Sequence, residues 1–114
     1  MRQFLLDELS DDEINNLESY LKRTLKQAPM EGVFWLTVPD DLWAEAQQGH
    51  DDCGPFYFGI ELDRNLGRNK FIAEFLVRSE SNLHCTCISY ATSAQRGFLL
   101  NFIDTMLAEE HIKA

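Results

Sequence analysis

The sequence predicts an α+β fold of two layers. Helices cover one face of an antiparallel sheet of about four strands, three of them in a meander, in the order α-β-α-β-β-β-α. Three observations lead there: a capping-box motif ahead of a leucine stripe, three runs of alternating apolar residues with short polar connections, and a second helical stripe near the C-terminus.

The first helix is placed at 11–27. Ser10-Asp-Asp-Glu13 is a capping box, with Leu9 and Ile14 positioned as a hydrophobic staple. Asp11, Asp12 and Glu13 complement the positive end of the helix dipole, and Lys22, Arg23 and Lys26 the negative end. Ile14, Leu17, Leu21 and Leu25 recur at helical spacing.

Val33-Phe-Trp-Leu-Thr-Val38 is rich in β-branched and aromatic residues and stops at Pro39, as a buried strand does. Asp40 is placed to cap a short middle helix over 41–48, closed by Gly49. Residues 49–55 read as a loop by composition.

Three strands are then predicted over 56–62, 70–78 and 82–90. A three-residue turn at 79–81 would set Arg78 opposite Asn82, Val77 opposite Leu83, Phe75 opposite Cys85 and Ala73 opposite Cys87. A last helix is predicted from Thr92 or Ser93 to about 111, with Leu99, Phe102, Ile103 and Met106 inward.

The length of 114 residues fits one domain, 1–114, large enough to bury a core without staples. The net charge of −9 opposes nucleic acid and anionic membranes. No apolar run reaches membrane-spanning length, and the N-terminus has no signal-peptide core, so a cytoplasmic location is expected. The charge is uneven: residues 1–53 hold 12 acids and 4 bases, a net of −8, whereas residues 64–96 hold 5 bases and 2 acids, a net of +3.

Four groups of residues invite a functional reading. The second sheet face would carry Tyr57, Ile72, Leu76, His84, Ile88 and Tyr90, more apolar than a solvent face usually is, which points to a partner surface. Thr92, Ser93 and Arg96 at the start of the last helix could receive an anion.

His50-Asp-Asp-Cys53 and Cys85-Thr-Cys87 supply four N/S donors, the set that tetrahedral zinc takes. Cys85 and Cys87 fall on the apolar side of the predicted strand, so the sequence favours two small core residues and an unrelated loop cysteine over a zinc site. Asp40, Asp41, Glu45, Asp51 and Asp52 read as a solvated acidic patch. No G-x-S-x-G, H-E-x-x-H, P-loop or dinucleotide fingerprint is present, and no catalytic residue is assigned.

The expectation from sequence is a non-catalytic protein-binding or regulatory domain that self-associates through its sheet, with a homodimer or a protein with a basic patch as partner. The alternative is a small-molecule-binding or enzymatic domain, with a pocket between the sheet and the loops 49–55 and 91–96.

Overall fold

The computed structural model describes residues 2–114. Its elements are β1 (Gln3–Leu9), α1 (Asp11–Thr24), β2 (Lys26–Gln27), β3 (Val33–Thr37), β4 (Phe56–Asp63), β5 (Asn69–Ser79), β6 (Ser89–Tyr90) and α2 (Ser93–Glu109). The sheet runs β1-β5-β4-β3-β2, every pair antiparallel, and β6 pairs with β5. The fold is α+β, but the predicted order α-β-α-β-β-β-α is wrong. Among the described residues the sheet has six strands instead of about four, and there are two α-helices instead of three.

Both α-helices lie against one side of the sheet. Ile14, Leu17 and Leu21 of α1 and Leu99, Ile103 and Met106 of α2 share one buried cluster with Phe34, Phe56, Phe58, Ile60, Phe71, Ala73 and Val77 of the strands. Tyr20 and Phe102 meet edge to face at 6.0 Å, which joins the two helices.

The start of α1 is as the sequence predicts. Glu13 N–H donates to Ser10 Oγ at 3.0 Å, and Ser10 N–H donates to Glu13 Oε1 at 2.8 Å. The helix stops at Thr24, short of 27, because Leu25 turns extended and Lys26–Gln27 pairs with β3.

The segment before this helix is a strand that the sequence reading does not contain. Its Phe4 and Leu6 pack against the core. The corner between β1 and α1 is pinned by Asn69, which donates to the Leu9 carbonyl at 3.0 Å and to Asp11 Oδ1 at 2.9 Å.

The predicted middle helix over 41–48 is replaced by one 3-10 turn at Asp40–Leu42 and a run of turns. Trp43 adopts φ −58° and ψ 128°, which takes the chain out of helical conformation.

The predicted strand over 82–90 survives only as Ser89–Tyr90. None of its expected pairings forms: Leu76 lies opposite Tyr90 and Val77 opposite Ser89. Polar side chains draw residues 80–88 off the ladder. Ser79 Oγ accepts from the N–H groups of Ser81 and Asn82, at 3.2 and 3.0 Å, and Asn82 Oδ1 accepts from His84 N–H at 3.0 Å. No helix among the described residues is long and apolar enough to cross a membrane.

Candidate metal centre

Two loops meet beyond the Phe56–Ser79 end of the β4–β5 pair. The first leaves β3 and ends in a 3-10 turn, Asp51–Cys53, closed by Cys53 N–H to the His50 carbonyl at 2.9 Å. In a 3-10 turn the side chains at i and i+3 eclipse, so the H-x-x-C spacing puts His50 and Cys53 on one side. The second loop is residues 80–88. Within it, Ile88 N–H donates to the Cys85 carbonyl at 3.1 Å, closing a turn around Cys85-Thr-Cys87.

The loops are tied together. Ser79 Oγ donates to the Cys53 carbonyl, Ser81 Oγ to the Gly54 carbonyl at 2.9 Å, and Glu80 N–H to the Pro55 carbonyl at 3.0 Å.

This arrangement brings the ligand atoms of His50, Cys53, Cys85 and Cys87 within 4.8 Å of one another. Cys53 Sγ lies 3.4 Å from Cys85 Sγ, and Cys85 Sγ lies 3.2 Å from His50 Nδ1. All three cysteines are free. A tetrahedral zinc with bonds of ~2.0–2.3 Å holds its ligands roughly 3.5–3.8 Å apart, so the observed spacing is close to that of a four-ligand site.

The backbone is oriented to match. Cys87 N–H points at Cys85 Sγ at 3.3 Å, a donor that stabilises negative charge on the sulfur. The geometry is that of a possible metal site with an NS3 donor set.

Crowding three thiols splits their acidities. Hydrogen bonds from Cys87, by side chain and then backbone, lead in holding the Cys85 thiol down at about 7, with a smaller contribution from His50. Burial, followed by the hydrogen bonds to Cys85 and Cys53, pushes Cys87 up to about 12. The hydrogen bond to Cys85, and then burial, raise Cys53. At neutral pH the metal-free cluster therefore carries at most one thiolate, centred on Cys85 and about half formed, because burial and the hydrogen bonds to neighbouring sulfurs keep Cys53 and Cys87 protonated.

A buried amide relay stands behind the site. Gln47 and Gln95 are both 0% exposed. Gln47 Nε2 donates to the Cys87 carbonyl at 2.7 Å, and its Oε1 accepts from Ala44 N–H at 2.8 Å and from Gln95 Nε2 at 3.0 Å. Gln95 Nε2 also donates to the Leu42 carbonyl at 2.9 Å, and Gln95 Oε1 accepts from Thr92 N–H at 3.1 Å. The relay links the start of α2 through the 42–47 turns to the Cys85-Thr-Cys87 turn. The sequence reading misses both: Thr92-Ser-Ala-Gln95 is a capping-box pattern that marks Gln95, whereas Gln47 carries no motif signal.

The remaining sequence candidates disperse. Tyr57, Ile72, Leu76 and Tyr90 lie on strands, but His84 and Ile88 belong to the 80–88 loop. Tyr57 is only 7% exposed, since Trp35 stacks on it at 4.5 Å. Thr92 caps α2, accepting Gln95 N–H at 3.2 Å, with Ser93 as the first helical residue and Arg96 half-buried. His84 is exposed and outside the four-residue cluster. Asp40, Asp41, Glu45, Asp51 and Asp52 are all exposed.

Comparison of the chain with protein-family models, curated proteins and solved structures finds no match.

Proposed function

We propose that this chain is a zinc-binding domain, with the metal held by a ring nitrogen of His50 and the sulfurs of Cys53, Cys85 and Cys87. The carrying observation is the convergence of these four ligand atoms within 4.8 Å. Thiolate and imidazole donors in a tetrahedral set select zinc over hard cations.

Four protein ligands leave no open position for a substrate, so the role supported is structural. Zinc would cross-link the 50–53 turn to the 85–87 turn, which neither a strand ladder nor a disulfide does. This reading favours a ligand-binding domain, with a metal ion as the ligand, over self-association as the defining property. The site uses the 49–55 loop of the expected pocket and replaces the 91–96 loop with 80–88.

Elemental analysis of chain purified without added metal tests the proposal. About one zinc per chain is expected, falling toward zero in Cys85→Ser and Cys87→Ser variants that remain folded. A stoichiometry near zero that added zinc does not raise would reject it.

A further inference from the structure

We propose that the outer edge of β1 pairs antiparallel with the same edge of a second copy of this chain, continuing the sheet across a two-fold axis. The inference rests on the sheet edge and is independent of the metal reading.

The two edges of the sheet differ. At one end β2 is only two residues long and carries Lys26, a short, charged edge that resists pairing. At the other end β1 runs for seven residues and, among the described residues, pairs only with β5. The bond from Phe75 N–H to the Arg2 carbonyl, 3.1 Å, sets the phase of the ladder. In an antiparallel pair the hydrogen-bonding residues alternate, so Arg2, Phe4 and Leu6 face β5, and Gln3, Leu5 and Asp7 turn their N–H and C=O groups outward. All three of these residues are exposed, and Leu5 is 45% exposed, a large apolar side chain on an open strand edge.

The charges select the partner and its direction. Arg2 stands at one end of the strand, and Asp7 and Glu8 at the other. Antiparallel pairing centred on Leu5 places Leu5 opposite the other copy's Leu5 and Gln3 opposite its Asp7. Each Arg2 then lies beside the other copy's Asp7–Glu8 end. The outward phases of the two strands agree in this register, because residues 3, 5 and 7 meet residues 7, 5 and 3. Parallel pairing would set acid against acid, which is destabilising.

The irregularity between Leu6 and Leu9, with Glu8 at φ 55°, limits the pairable length. Two-fold closure consumes the edge, so the assembly stops at two chains.

Sedimentation equilibrium on the full chain tests this, with circular dichroism as the check on folding. The wild type is expected to dimerise reversibly. Leu5→Lys, at an exposed position, is expected to leave a folded monomer. Arg2→Glu is expected to weaken the dimer, and Arg2→Glu combined with Glu8→Arg to restore it. A wild type that stays monomeric into the high-micromolar range overturns the proposal. A dimer that survives Leu5→Lys overturns it too, and so does a charge swap that restores nothing.

Discussion

The side-chain amide of Gln47 donates to the backbone carbonyl of Cys87 at 2.7 Å, and both residues are 0% exposed. A residue 40 positions away thus holds the turn that presents two sulfurs. Gln47→Leu would leave the Cys87 carbonyl, Ala44 N–H and part of the Gln95 amide without partners. A buried polar group without its bond costs about 1–3 kcal/mol, so a substantial loss of thermal stability is expected. If the amide also orients the ligands, zinc affinity falls by roughly 10–100-fold, as it does for outer-shell partners of metal ligands. Calorimetry and competition with a zinc indicator read the two effects separately.

Chelation is expected to lower Tm without abolishing the fold, since most of the apolar cluster, drawn from both helices and from β1, β3, β4 and β5, lies outside the four candidate ligands. Restoring zinc should restore Tm. A ligand at a thousand times its Kd adds about 4 kcal/mol of stability. For a domain of this size each kcal/mol moves Tm by about 4–8 °C. Thermal melts with and without chelator check this.

Zinc uptake should release protons and weaken as pH falls. The metal-free cluster holds Cys85 at about 7, Cys87 at about 12 and Cys53 above its ordinary value. Three thiolates are needed in the bound state, so at neutral pH about two to three protons leave per metal. Lowering the pH through the Cys85 value restores a proton to the last thiolate and competes with the metal. Titration in a weakly buffered indicator solution measures the release.

Ser10→Ala should cost about 1 kcal/mol through loss of the α1 cap. Its hydroxyl accepts Glu13 N–H at 3.0 Å and lies outside the ligand cluster. Zinc stoichiometry should therefore be unchanged, which makes this variant the control for effects acting through stability alone.

The legible parts of the fold are those with local chemistry. The Ser10–Glu13 box, the Val33–Val38 run, the alternation in β4 and β5 and the start of α2 are readable from neighbours in sequence. β1 is not, because its ladder partners lie 60 to 71 residues away and Asp7 and Glu8 look like helix approach.

The 82–90 segment misleads because Leu83, Cys85, Cys87 and Ser89 alternate as a strand does. Ser79, Ser81 and Asn82 were the contrary signal, three side chains able to bond the backbone and turn it. The candidate ligand set is visible in the residue types, H-x-x-C and C-x-C. Its assembly is not, because it requires residues 80–88 to leave the sheet and Gln47 to reach Cys87.

Zinc-edge X-ray absorption on the zinc-loaded chain tests the central claim most directly. The account predicts one nitrogen at about 2.0–2.1 Å and three sulfurs at about 2.3 Å. A shell dominated by oxygen, or a chain that retains no zinc through gel filtration at neutral pH, would contradict it.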